Sequence, residues 1–477
     1  MATFEEYQQR ILDLKKNVYI DGKIVPRYDP RLQPGMNCVA PTFDAVNDAE
    51  LADLMIATSH LTGKPVNRFC HVSQTAEDLI AKQTLIRRLC HRSAGCIGRC
   101  MGTDAIHALS VATFEIDHEL GTPYNKRFQD YLRNFQERDL VGCCAQTDVK
   151  GDRRKRPKEQ ADPDLYLRII EKNNDGIVVR GAKAHNTVAP YADEIIVVPT
   201  RVLKPDEQDW AIAFAIPADW KGVYLPTSAH TYRPRKKIDA PIVRMGSGHS
   251  LTIFDDVFVP WERVFMCGEA KYAGRLALLF ALFHRHSYTG CKPATTDVLC
   301  GSAALAAEYS GIEGAYQVRH ALVEYASVAE LVFASGIAAA YTGQKSPSGT
   351  FIPNSVYCNV GRRHAGLNIY HEFEMAVEIA GGIPSTLPSE GDFYEAQIGP
   401  LLEKYMMRNP KISAENQHRC FRFISDYLAS AQSSTKLIAG VHGGGSPIME
   451  EIAIYGTYNW EEKKNIVKRL AGIEDSK

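Results

Sequence analysis

The sequence predicts an α+β protein in which helices, then strands, then helices follow one another along the chain. Three observations carry this. Residues 1 to about 145 place apolar side chains at three- and four-residue intervals, as in TFEEYQQRILDLKK and TAEDLIAKQTLIRRLCHRSAG, the period of amphipathic helices. Between about 150 and 260 the pattern shifts to short β-branched runs, among them LYLRIIEK, DGIVVRGAKAH, DEIIVVPTRVL, WAIAFAIPA and LTIFDDVFVP. Divided by Gly, Pro and Asp, these read as strands of an antiparallel β-domain. From Trp261 onward helical periodicity returns in long Ala-rich segments, which pack as a bundle.

Within the first part, Thr75 with Glu77 and Asp78 behind it marks a helix start. QTDVKGDRRKRPKEQADPDL, charged and poor in large apolar residues, reads as a loop crossing between domains. With 477 residues the chain is too long for one simple core. The expected domains are a helical domain over 1–147, a β-domain over 148–275 and a helical bundle over 276–477.

Charge is balanced, with 55 basic and 56 acidic residues, which argues against nucleic acid as the main partner. No uninterrupted apolar run approaches the ~18–20 residues of a membrane span. The N-terminal residues are polar and acidic without an apolar signal core, so a cytoplasmic protein is expected. The 12 cysteines have no framework spacing, and in a reducing compartment metal binding, reactive thiols or plain burial must account for them.

Two pairs stand out. Cys96 and Cys100 are four residues apart, His284 and Cys291 seven, so each pair lies on one face if its segment is helical. Three thiols and one imidazole complete a ligand set for an iron–sulfur cluster or zinc, and the absence of tight CxxC knuckles favours the cluster. Taken singly, each pair is more often packing than ligation. Tyr288 and Lys292 share the His284 segment and suit proton transfer or carbonyl orientation; a Tyr at the core edge and a solvated Lys are the plain alternatives. Loop residues in CAQTDVKGDRRKRP and GAKAHNT supply hydroxyls, amides and cations for a flavin ring edge or pyrophosphate. Arg154, Lys155 and Arg156 read as solvated. Gly381–Gly382 and Gly443–Gly445 either admit a ligand close to the backbone or simply stop helices.

Taken together, Cys-x3-Cys, HRHSYTGCK, TDVKGDR, DGIVVRGAKAH, FDDVFVP, AGGIPSTLPSE and HGGGSP resemble the 4-hydroxybutyryl-CoA dehydratase/vinylacetyl-CoA delta-isomerase family, part of the wider 4-hydroxyphenylacetate 3-hydroxylase superfamily. The resemblance runs over nearly the whole chain. It implies an acyl-CoA dehydrogenase-like fold and a cytosolic homotetramer holding FAD and a 4Fe–4S cluster and working anaerobically. By the same resemblance Cys96, Cys100, His284 and Cys291 are the cluster ligands. His284, Tyr288, Lys292 and Thr187 match active-site positions. Thr147, Asp148, Lys150, Asp152, Arg153, His185, Asn186, Thr187, Gly381 and Gly382 are expected on the flavin. The implied reaction removes water from a hydroxyacyl-CoA, with transient one-electron oxidation by the flavin making an unactivated β-proton acidic. A flavin monooxygenase or dehydrogenase, or a homologue with eroded catalytic groups, are the alternatives.

The chain also departs from that family. His249 and Ala439 stand where the family has carboxylates, and Gly98 where it has glutamine. His249 is the expected replacement acid–base group, since an imidazole titrates near neutrality. Glu450 and Glu451 are expected to be solvated on the helix after HGGGSP.

Overall fold

The computed structural model describes residues 1–229, 235–238 and 241–473. Helix α1 (Phe4–Leu12) opens the chain, followed by a short hairpin, β1 (Val18–Ile20) and β2 (Lys23–Val25). Helices α2 (Ala76–Ser93), α3 (Cys100–Leu120) and α4 (Tyr124–Glu137) form the main helical layer of the first part. As its sequence predicts, Thr75 starts α2: its side chain accepts the Asp78 N–H, satisfying one of the free donors of the first turn.

Two short two-stranded pairs aside (Ile56–Thr58 with Pro65–Asn67, Gln344–Lys345 with Phe351–Ile352), the strands form two sheets. One runs β2–β1–β8–β9–β5–β4, with β4 (Arg168–Lys172), β5 (Gly176–Thr187), β8 (Val223–Ser228) and β9 (His249–Pro260). The other runs β10–β7–β6–β3, with β3 (Gly142–Ala145), β6 (Glu194–Val197), β7 (Ile212–Pro217) and β10 (Val264–Cys267). Most pairings are antiparallel, as expected, but β1–β8 and β3–β6 are parallel. Both exceptions bring strands in from outside residues 148–275, so the helical first part completes the sheets. Nothing local marks such short strands: three or four residues carry too little alternation to be recognised. One apolar core accordingly runs from Val18, Phe43 and Leu109 through Phe135, Ile195 and Phe214 to Phe265 and Phe283.

The third part is built on α5 (Ala270–Tyr309), a 40-residue helix that packs against α2 and α3 as well as α6 (Tyr316–Tyr341) and α7 (Ser355–Ala380). Helices α8 (Ala414–Leu428), α9 (Ala431–His442), α10 (Pro447–Thr457) and α11 (Trp460–Ala471) complete it. Pro293 lies inside α5 and removes the N–H that the Thr289 carbonyl would accept. Gln83 of α2 fills the gap, donating from Nε2 to Thr289 at 3.3 Å.

Candidate active site

The loop between α2 and α3 overturns the reading of Cys96 and Cys100 as one helical face. Helix α2 stops at Ala94, which has φ 51°, and Gly95 and Gly98 follow with φ 157° and 72°. Helix α3 then starts at Cys100 itself. Cys96 is therefore on a loop, exposed, with its sulfur accepting the Gly98 N–H at 3.2 Å. Arg99 pins this loop. Its fully buried guanidinium pairs with Asp139 and lies 4.3 Å from the Phe43 ring centroid.

The second pair is helical as read. His284, Tyr288 and Cys291 project from α5, and α5 packs along α2 and α3. The two pairs meet. Cys96 interacts with Cys100 and lies in the field of His284, while Cys100 also lies in the field of Cys291, and Cys291 in that of Cys96. Ligand atoms of Cys100, Asp104 and His284 lie within 4.8 Å of one another. The interaction with Cys100, above all, brings the Cys96 thiol down to about 6. The same interaction, with burial, pushes Cys100 well up. Burial likewise raises Cys291.

Asp104 escapes a reading by motif, although its place one turn after Cys100 is a signal of sorts. It is fully buried, with His284 Nδ1 3.0 Å from one oxygen and Lys82 Nζ and Ser287 Oγ donating to the other at 2.9 and 2.8 Å. Burial alone would raise this carboxyl, but the charge of Lys82 and the contact with His284 hold it well below the carboxylate range.

Lys292 is not solvated. It is 3% exposed, and its ammonium donates to Glu372 at 2.6 Å and to Thr296 at 3.0 Å. The other Glu372 oxygen is buried without a hydrogen-bond partner. Glu450 is a correction: it is 1% exposed, with Arg362 Nε 3.4 Å away, and burial raises its carboxyl. Helix α10 turns it inward toward a guanidinium that sequence periodicity cannot reveal. Only Glu451 is exposed, paired with Arg363. Arg362 itself stacks over Tyr288 at 4.4 Å, and Tyr288 donates to the Gly440 carbonyl at 2.9 Å, one residue past the exposed Ala439.

His249 and Thr187 come together as partners across β9 and β5, with His249 Nδ1 3.0 Å from Thr187 Oγ1 and Nε2 3.3 Å from Ser247 Oγ. Val188, next to Thr187, has φ 77°, a conformation that costs a β-branched residue energy. Its Cγ2 fills the space beside Gly98: a Cβ there would come within 2.6 Å of it. The Thr187–His249 pair is thus tied to the cysteine loop through Val188.

The residues expected on the flavin divide into two groups. Asp148 is consumed within the frame, accepting from Leu167 N at 3.0 Å and pairing with Lys183 at 2.9 Å. Asn186 donates to Lys183 O and Thr252, and the Thr147 carbonyl accepts Ala184 N. Asp152 is tied to Arg154. By contrast, burial and then the charges of Lys150, His442 and Arg153 lower His185, which places these four groups in one basic cluster. Lys150 and His185 both have positive φ, 76° and 61°. Gly381 ends α7 with φ 67°, and nothing stands within 4 Å of where a Cβ of Gly381 or Gly382 would be. The second glycine run does approach the site: a Cβ on Gly444 would lie 3.8 Å from His284 Cδ2. Arg154 and Lys155 are exposed as read, whereas Arg156 pairs with buried Glu207.

The 4-hydroxyphenylacetate 3-hydroxylase family matches along the chain, its N-terminal region over residues 3–266 and its C-terminal region over 273–472. The chain is 37% identical to 4-hydroxybutyryl-CoA dehydratase/vinylacetyl-CoA-Delta-isomerase of Clostridium aminobutyricum, covering 99% of this chain and 100% of the relative. It belongs to this family. The structure of an oxygen-tolerant archaeal 4-hydroxybutyryl-CoA dehydratase from N. maritimus superposes with a TM-score of 0.95 at 37% identity, over 99% of this chain and 95% of that one. The oxygenase component of 4-hydroxyphenylacetate 3-monooxygenase, solved with FAD, shares the fold at 23% identity and TM-score 0.89, over 98% of each chain. Helices flanking a mixed pair of sheets are thus the family architecture.

Proposed function

We propose that the chain is an FAD- and 4Fe–4S-dependent hydro-lyase that removes water from a hydroxyacyl-CoA, of the 4-hydroxybutyryl-CoA dehydratase type and with or without double-bond isomerisation. The observation that carries this is the meeting of Cys96, Cys100, Cys291 and His284 at one place between α2, α3 and α5. Three thiols with one imidazole are the donor chemistry of a cluster with one distinct iron, and His284 has its Nδ1 committed to Asp104 and its Nε2 free of that contact. The basic cluster of His185, Lys150, Arg153 and His442 suits the phosphates and ring edge of a flavin.

When bound, the flavin supplies one-electron redox chemistry and the cluster iron a Lewis-acid site for the departing hydroxyl. The protein's own groups do the rest. Lys292, fixed by Glu372 and Thr296, presents a positive charge deep in the bundle. Tyr288, anchored to Gly440, turns its ring toward Arg362. His249, held between Thr187 and Ser247, exchanges a ring proton, since a neutral imidazole offers one donor and one acceptor. The buried faces of α5 and α7 and the glycine loop beside His284 line the inner side of the site.

A homotetramer is supported by apolar side chains that the single chain leaves outside, among them Leu331 on α6, Leu367 on α7 and Leu470 on α11, 60%, 66% and 84% exposed. Helix α6 is by length and composition apolar enough to cross a membrane. It packs along α5 and α7, and its outward apolar residues suit a subunit interface in a cytoplasmic enzyme.

Anaerobic turnover of a panel of hydroxyacyl-CoA thioesters, followed by mass spectrometry, tests the activity. Loss of water from one of them, in a protein holding about four iron and four sulfide per chain, is the expected result. A protein pure under anaerobic conditions but free of iron, with oxygen-dependent hydroxylation of a phenol, would select the hydroxylase reading instead. His249→Gln should lower turnover by about 10²–10⁴-fold with flavin content unchanged. Equal turnover in that variant removes His249 from the chemistry.

A further inference from the structure

We propose that Asp104 is the positioning residue that fixes the ring and tautomer of His284 toward the cluster, with Lys82 and Ser287 holding it in place. This rests on the cluster reading above.

Each Asp104 oxygen is spoken for. Oδ1 accepts from Lys82 Nζ at 2.9 Å and from Ser287 Oγ at 2.8 Å, and Oδ2 faces His284 Nδ1 at 3.0 Å. An ionised carboxylate only accepts, so the imidazole proton resides on Nδ1 and the lone pair on Nε2. Nε2 is then the nitrogen left to bind iron, in the arrangement by which a ligating histidine donates its second N–H to a carboxylate. The carboxylate cannot swing, because two donors from different helices hold its other oxygen. Lys82 comes from α2 and Ser287 from α5, while Asp104 sits on α3 one turn after Cys100. Asp104 and Lys82 are 0% and 1% exposed. A lone carboxylate at such depth is costly, so the Lys82 ammonium is what permits an ionised acceptor behind the histidine. Three helices that carry or flank the ligands are thereby braced through one carboxylate.

Cys100, Asp104 and His284 lie within 4.8 Å of one another, which makes Asp104 itself a possible ligand by distance alone. Its three donors decide against that, since both oxygens already receive hydrogen bonds.

The test uses the full chain reconstituted anaerobically with iron and sulfide. Iron per chain, the rate of iron release to a chelator, and the nitrogen hyperfine coupling of the reduced cluster are compared in wild type and variants. Removing Asp104 alone strands the Lys82 charge, so the main variant is Lys82→Met with Asp104→Asn, which takes out both charges together; Asp104→Asn alone is the second. We expect iron retention weakened about 10–100-fold and an altered nitrogen coupling, with flavin absorbance kept. Ser287→Ala, which leaves the Asp104–His284 contact in place, should stay within a few-fold of wild type. Iron release and nitrogen coupling equal to wild type in both Asp104 variants would overturn the inference while leaving the cluster reading standing. Loss of one iron with the nitrogen coupling intact would also overturn it, by making Asp104 a ligand. A wild-type chain that takes up no iron would instead remove the cluster reading itself.

Discussion

Cys96 sits on a loop whose shape is written in backbone dihedrals and Cys100 on the first residue of the helix that follows it, whereas His284 and Cys291 sit two turns apart on one continuous helix. The loop half depends on Ala94, Gly95 and Gly98 adopting positive φ and on Arg99 being clamped between Asp139 and Phe43. The helical half follows from the 3.6-residue period, and its cost is met by polar partners from other helices: Gln83 at the Pro293 gap, Asp104 behind His284, Glu372 beside Lys292. The same ligand set is therefore vulnerable in two different ways. The loop is broken by changes of backbone freedom, the helix by loss of a partner many residues away.

The largest expected effect tests whether the two halves form one site. Cys96→Ala and Cys291→Ala should each abolish iron binding. Neither should lower the thermal midpoint much, because Cys96 is exposed and Cys291 is only partly buried. Iron and sulfide assays with circular dichroism read both. Loss of iron from one variant only would show that the pairs act separately, and global unfolding would give the cysteines a structural role.

Next in size is the partner that supports the helical half. Glu372→Gln leaves the Lys292 ammonium buried against a neutral amide, and breaking one side of a buried pair costs about 3–5 kcal/mol. Urea unfolding of the wild type and variant should show a midpoint shift of that order. A Lys292→Met change added to Glu372→Gln should recover much of it, since the stranded charge is gone. A loss below about 1 kcal/mol for Glu372→Gln would mean that water reaches Lys292.

What could be read from the sequence follows the same division. The long elements were legible, because α2, α3, α5 and the strands β5 and β9 carry many periods of their pattern, and so was the shared face of His284 and Cys291. The Thr75 start was legible because its chemistry is local. The cysteine loop was not: apolar spacing runs on through SAGCIGRC, and only the left-handed dihedrals at Ala94 and Gly98 reveal that the helix has ended. Glu450 is hidden for another reason. Its partner Arg362 lies 88 positions away, and a charge without its counter-ion in view reads as solvated. Asp104 went unread because a carboxylate behind a ligand has no motif. The β1–β8 pairing was hidden because parallel partners so far apart leave no turn signature.

The smallest effect sharpens the loop half. Gly98 has φ 72° and no room for a side chain: a Cβ would stand 2.6 Å from Val188 Cγ2, and Val188 is β-branched and itself held at φ 77°. Gly98→Ala therefore meets two penalties, the left-handed backbone at roughly 1 kcal/mol and a contact that Val188 cannot relieve by changing rotamer. A total of about 1–3 kcal/mol is expected in denaturant unfolding, with iron lost more readily than in the wild type. Val188→Ala removes the clash but not the dihedral cost. In the double variant the loss should consequently be smaller than the sum of the singles, by the part due to contact. Additive losses would show that Gly98 is needed for its dihedral alone, and would uncouple the cysteine loop from the strand end that carries Thr187 and His249.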